Sequence, residues 1–87
     1  MVNQKYSTEQ IRSEVEKIFS EVLTDVSLPI NDEMTARNVR GWNSLNHVRI
    51  IVKIEERYKI EFRPREVVSL NNYGELIHLI SKKVNTE

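Results

Sequence analysis

The 87-residue sequence predicts an all-α fold: three principal helices, one short helix and a long loop between the first two principal helices. Three observations carry that prediction. Apolar residues recur at helical spacing in three separate stretches. Only two glycines, Gly41 and Gly74, and two prolines, Pro29 and Pro64, interrupt the chain. No alternating run of β-branched residues reads as a strand.

The first helix is placed at about 8–24. Ile11, Val15, Ile18, Phe19, Val22 and Leu23 fall on one face of a 3.6-residue period, and Glu14, Glu16, Lys17 and Glu21 fill the other. Ser7 followed by Gln10 suits a capping box, and Glu9 meets the positive end of the helix dipole. Residues 25–43 then lose the period and collect turn formers: Asp25, Pro29, Asn31, Asp32, Asn38 and Gly41. A connection this long in so small a chain is expected to be functional or to carry a short element of its own. Leu28, Ile30, Met34 and Val39 are read as its apolar pins, with a helical turn near 32–38 capped by Asn31 or Asp32.

The second helix is placed at about 44–59, with Asn43 as its N-cap. Leu45, Val48, Ile51, Ile54 and Tyr58 form its stripe, and Ile50 and Val52 widen it past half the circumference. This predicts that it is the central packed helix. Ile60 and Phe62 follow as extended anchors. Pro64 suits the first turn of a short third helix at about 64–69, with Val67, Val68 and Leu70 as its apolar positions. Asn71 or Asn72 caps a last helix at about 73–84. Its buried stripe is Leu76, Ile77, Leu79, Ile80 and Val84, and Lys82 and Lys83 sit at its negative end. The whole of 1–87 reads as a single domain.

Composition narrows the function. A chain of this size buries only about 60–65% of the surface its unfolded form exposes. With no cysteine there is no disulfide or thiolate metal site to support it, so the apolar 39% must do so. Thirteen basic and thirteen acidic residues cancel, which argues against a nucleic-acid binder on bulk charge. No apolar stretch is long enough to cross a membrane, and Met1–Tyr6 has no leader-like apolar core, so a cytoplasmic protein without membrane insertion is expected.

Catalytic candidates are few. His47 and His78 are the only histidines, and each alone reads as an ordinary surface or core residue. No His-x-x-His and no Cys–His pair is present, so no metal site is expected. Glu55 and Glu56 are neighbours that point about 100° apart on a helix and do not converge on one atom. No catalytic residue is expected.

The informative segment is Gly41-Trp42-Asn43-Ser44-Leu45-Asn46-His47-Val48. It places a glycine-containing turn, a capping residue and then a serine at the first position of the second helix. An anionic phosphoester on Ser44 would lie in the favourable field of that helix end. Taken alone, Ser44 also reads as a plain helix-start serine, and Trp42 as a loop aromatic packed over the helix ends. Continuing into Ile54-Glu55-Glu56-Arg57-Tyr58-Lys59-Ile60-Glu61-Phe62, the segment resembles the acyl and peptidyl carrier proteins. The resemblance is to the stand-alone Trp-x-Ser-Leu-Asn-His subtype and runs through Asn71-Asn72-Tyr73-Gly74-Glu75-Leu76.

This resemblance implies a four-helix up-down bundle and a monomer. It implies a 4′-phosphopantetheine arm, attached to Ser44 from coenzyme A by a phosphopantetheinyl transferase. The arm would carry acyl or aminoacyl thioesters between acyl-loading and acyl-accepting enzymes. Asn43, Leu45, Arg49, Val52, Glu55 and Glu56 would form the transferase- and partner-recognition surface. Two departures stand out. Asn43 occupies the family's usual aspartate position: it keeps the cap but not the negative charge, which implies slower modification, a dedicated transferase or no modification at all. Residues 44–70 hold six basic and four acidic groups, where fatty-acid carriers are strongly acidic. That admixture points to a specialised pathway rather than housekeeping fatty-acid synthesis. The alternative is an unmodified carrier-like helical interaction module, which Asn43 and the neutral balance favour.

Overall fold

The computed structural model describes residues 6–85; Met1–Lys5, read above for a leader, lie outside them. Four helices form a small all-α bundle: α1 (Thr8–Val22), α2 (Ser44–Tyr58), α3 (Pro64–Ser69) and α4 (Tyr73–Val84). Each principal helix starts on a side-chain cap. Ser7 accepts the Gln10 N–H, Asn43 the Asn46 N–H and Asn72 the Glu75 N–H.

Two helices end earlier than their periodicity predicts. α1 stops at Val22 because Leu23 turns into extended backbone and buries its side chain beneath Gly41. α2 stops at Tyr58 because Lys59 adopts a left-handed conformation (φ 56°). Glu55 secures this end twice: its carbonyl receives the Lys59 N–H, and its carboxylate receives the Phe62 N–H at 2.8 Å.

The most extensive helix–helix contacts are those of α1 with α2 and α4, so the second helix, expected to be the central one, shares that role: it packs on α1 and reaches α3 through His47. The stripe of α2 is narrower than its apolar residues suggest. Ile50, Ile51, Ile54 and Tyr58 are buried, whereas Leu45, Val48 and Val52 are 62%, 53% and 43% exposed. Leu28 and Val68, also expected to pack, face solvent. On α1, Ile11, Val15, Ile18 and Phe19 are buried. Phe19 lies edge-on to Trp42 of the long loop and to Tyr73 of α4, with ring centroids 5.1 and 5.3 Å away.

The long loop is stitched to the bundle by its backbone. Glu16 accepts the Ile30 N–H at 3.1 Å. Arg12 makes a two-pronged pair with Asp32, which holds that carboxyl below the usual carboxylate range. The loop carbonyls of Met34 and Asp32 accept the first two N–H groups of α4, Tyr73 and Gly74, both at 2.9 Å. These donors have no partner inside their own helix, so the loop completes the cap of α4. The helical turn expected at 32–38 lies instead at Thr35–Val39, where Val39 donates to the Thr35 carbonyl. Its cap is Thr35, whose hydroxyl accepts the Arg37 N–H while Asn38 accepts the Thr35 N–H in return, not Asn31 or Asp32.

The contact at Gly74 leaves no room for a side chain. A Cβ there would lie 2.8 Å from the Asp32 Cβ and 3.2 Å from the Asp32 carbonyl oxygen. Gly74→Ala is therefore expected to destabilise the fold by about 1–3 kcal/mol in a denaturant titration. Tyr73 presents the opposite case. Its ring is fully buried, and its hydroxyl is a buried polar atom with no hydrogen-bond partner among the described residues. Tyr73→Phe removes that desolvated group and is expected to stabilise by about 1 kcal/mol, seen as a raised melting temperature.

Candidate functional site

The site is built at the start of α2. Gly41 sits at φ +86°, a conformation that a side chain would strain. Its carbonyl accepts two hydrogen bonds, from the Asn43 N–H at 2.9 Å and the Asn46 side-chain amide at 2.8 Å. Asn43 then caps the helix through its side chain, at 2.9 Å from the Asn46 nitrogen, and through its carbonyl, which takes the His47 N–H at 2.8 Å. These four hydrogen bonds hold the turn from Gly41 into the first turn of α2. Ser44, held in this frame as the first residue of the helix, is exposed.

The electrostatics of this helix start differ from the other three. Glu9, Glu66 and Glu75 stand in the first turns of α1, α3 and α4, while the first turn of α2 holds no acidic residue. The N–H groups of Ser44 and Leu45, at the first two helical positions, have no acceptor within the helix. The positive end of α2 is therefore not offset by a carboxylate of its own first turn.

A cleft of about 560 Å³ opens beside Ser44, lined chiefly by Trp42, His47, Val48, Val67, Val68 and Leu70. It runs between the start of α2 and α3. His47 closes its inner side by joining three segments. The indole Nε1 of Trp42 donates to His47 Nδ1 at 3.0 Å, and His47 Nε2 lies 3.2 Å from the Val67 carbonyl oxygen. Because Nδ1 accepts, the ring proton belongs on Nε2, which donates to Val67. His47 is thus a structural bridge from the loop through α2 to α3. Trp42 is buried, as expected of an aromatic packed over the helix ends.

The remaining residues singled out from the sequence divide. Asn43, Leu45, Arg49, Val52 and Glu56 are exposed on the loop end and outer face of α2. Glu55 is half-buried and engaged with Phe62, which ties it to the α2–α3 turn. His78 is exposed on α4. It stands three residues after Glu75, a Glu-x-x-His spacing, but Glu75 is occupied in accepting the Asn71 N–H. Among the described residues no three His, Asp or Glu side chains come together as a metal site would need. The His47 bridge was not legible in the sequence, because Val67 contributes a carbonyl rather than a side chain.

His47→Ala removes both ring bonds and leaves the indole N–H and the Val67 carbonyl unpaired. The expected result is a loss of about 1–3 kcal/mol in stability and faster amide exchange concentrated in residues 64–69 and 42–47. Loss of protection spread evenly over α1 and α4 would contradict the bridging role.

Comparison with known proteins agrees with this geometry. Residues 13–80 match the family described as the phosphopantetheine attachment site. The solution NMR structure of the holo acyl carrier protein from Geobacter metallireducens is 35% identical over 85% of each chain, with a TM-score of 0.77. No match was found among the curated proteins. The family's prosthetic group is 4′-phosphopantetheine, and its members serve enzymes without being enzymes themselves. A match spanning most of the chain, together with a shared four-helix fold, establishes that this chain belongs to the phosphopantetheine-attachment family of acyl and peptidyl carrier proteins.

Proposed function

We propose that this chain is an acyl carrier protein whose 4′-phosphopantetheine arm is joined to Ser44. A phosphopantetheinyl transferase makes the link. The Ser44 hydroxyl loses its proton and forms a phosphodiester with the phosphopantetheine portion of coenzyme A, and adenosine 3′,5′-bisphosphate leaves. When bound, the arm supplies a terminal thiol that holds an acyl or aminoacyl group as a thioester.

The observation that carries this reading is the exposed Ser44 hydroxyl on a rigidly framed helix start with no carboxylate in its first turn. Two first-turn N–H groups and the positive helix end favour a phosphate there by the same field that binds anions at helix starts. The adjoining cleft, with its Val48, Val67, Val68 and Leu70 walls, offers apolar cover next to the attachment point. Asn43 replaces a carboxylate at the cap without loss of the capping bond, so the departure bears on transferase recognition and not on the fold.

Partner recognition is assigned to Asn43, Leu45, Arg49, Val52 and Glu56, with Glu55 contributing by holding the turn that follows α2. The mixed charge of residues 44–70, six basic and four acidic, favours a specialised biosynthetic route over housekeeping fatty-acid synthesis. The loading and accepting enzymes are then ones matched to that surface.

Intact-mass measurement after incubation with coenzyme A and a broad-specificity transferase tests the attachment. The wild-type chain is expected to gain one phosphopantetheine. Ser44→Ala is expected to gain none while keeping its unfolding free energy within about 0.5 kcal/mol of wild type, since Asn43 supplies the cap. Asn43→Asp is expected to be modified faster. An unchanged mass for both the wild type and Asn43→Asp would refute the assignment and favour the unmodified interaction module.

A further inference from the structure

We propose that the face around Ser44 docks onto protein surfaces that present carboxylates around an apolar depression. The inference rests on the carrier reading only for the partner being an enzyme; the surface itself is read from charge and exposure. From Met34 to Ile54 the chain carries Arg37, Arg40, Arg49 and Lys53 and not one aspartate or glutamate. Neutrality of the whole chain therefore conceals a segment of a single sign, and that segment surrounds Ser44.

The cations of this segment are largely uncommitted. The ion pairs among the described residues engage Arg12, Lys53, Arg57 and Lys83. Arg57 is drawn onto Glu14 at 2.6 Å, away from any docking role, and Lys53 reaches Glu21 only at 3.9 Å. Arg37, Arg40 and Arg49 are exposed and make no ion pair among the described residues. Several carboxylates elsewhere are tied down. Glu55 holds the Phe62 N–H, and Glu66 holds the Arg63 N–H and the Lys83 ammonium. Glu21 and Glu56 share a groove with Val48, Arg49, Val52 and Lys53, so two carboxylates border the α1 side of the stripe, whereas the cleft beside Ser44 is lined by none.

Within this cationic rim lies an apolar stripe. Leu45, Val48 and Val52 are spaced three and four residues apart on one side of α2 and are 62%, 53% and 43% exposed. Arg49 follows Leu45 by one helical turn and precedes Lys53 by another, so the cations run alongside the stripe. Gly41, bonded to Asn43 and Asn46, fixes Arg40 to the loop side of the helix start. Ala36 lines the same cleft as Ser44, which brings the turn bearing Arg37 to that side too.

An apolar centre with a charged rim has the anatomy of a protein–protein interface. The stripe needs an apolar counterpart, and the rim a set of anions. A polyphosphate offers the second without the first. A chain of zero net charge also lacks the long-range attraction that polyanions and anionic membranes exploit. The matching occupant is therefore a protein patch with aspartate or glutamate around a hollow.

The test uses the full ¹⁵N-labelled chain and two helical probe peptides with identical leucine faces, one filled out with glutamate and the other with lysine. The glutamate peptide is expected to shift the amides of residues 36–53 and to bind about tenfold more tightly than the lysine peptide at low ionic strength. The gap closes as salt rises. Arg40→Glu combined with Arg49→Glu is expected to reverse the preference; both positions are exposed, and unchanged spectra of α1 and α4 verify the fold. Equal binding, a lysine preference in the wild type, or shifts confined to other faces would overturn the proposal. So would binding to phosphatidylglycerol vesicles without any response to the glutamate peptide, which would assign the face to a lipid surface. The mass of the same sample after transferase treatment reads the carrier assignment separately: a chain modified normally but indifferent to the glutamate peptide fails this inference alone.

Discussion

Much of the architecture depends on one run of contacts through Phe19, Trp42, His47 and Val67. Phe19 is fully buried on α1 and packs edge-on against both Trp42 and Tyr73, so one ring fixes the end of the long loop and the start of α4. Trp42 uses its remaining polar atom, the indole N–H, to hold His47. His47 in turn holds the backbone of α3, a six-residue helix with no buried residue of its own. An isolated helix of that length is unstable in water, so α3 owes its place to contacts made from outside. The position of the cleft beside Ser44 follows from these bonds.

The long loop matters for the same reason. It donates no regular element, yet its carbonyls complete the start of α4 and its last turn supplies the frame of Ser44. Backbone groups at helix ends must find partners, and here the loop meets that need at one helix while presenting the next. The two ends of the loop are thus coupled: Asp32 and Met34 anchor it to α4, and Gly41 and Asn43 pass that rigidity into α2. A serine on such a frame holds its hydroxyl at a defined place, as the proposed attachment of the arm requires. On that proposal the uncharged cap and the cationic surroundings bear on which enzymes approach it, because complementary charge governs encounter and discrimination more than strength of binding.

Much of the fold and of the site was legible along the chain. The capping residues Ser7, Asn43 and Asn72 marked the helix starts, because a cap is a contact between residues three apart. Ser44 and its neighbours drew attention as a single contiguous segment. What periodicity misjudged was the outward-facing part of α2. Leu45, Val48 and Val52 look like core because an apolar residue reads the same whether it meets a neighbouring helix or a future partner. The second tie of Glu55 was hidden in the same way: a carboxylate on a helix gives no sign that a backbone N–H seven residues on will occupy it.

By itself, then, the sequence determined the helical class, the order and starts of the helices, and the segment in which a serine opens the second one. Each of these rests on local chemistry: period, capping and turn formers. Tertiary structure alone decided that α1 makes the most extensive contacts, with α2 and α4, that α1 and α2 end early at Leu23 and Lys59, and that Gly74 must lack a side chain because Asp32 lies against it. It also decided which cations remain unpaired around Ser44, since Arg57 is claimed by Glu14 from a helix 43 residues away in sequence while Arg49 makes no ion pair among the described residues. These outcomes depend on distances between parts of the chain remote in sequence, and such distances exist only once the apolar faces have chosen one another.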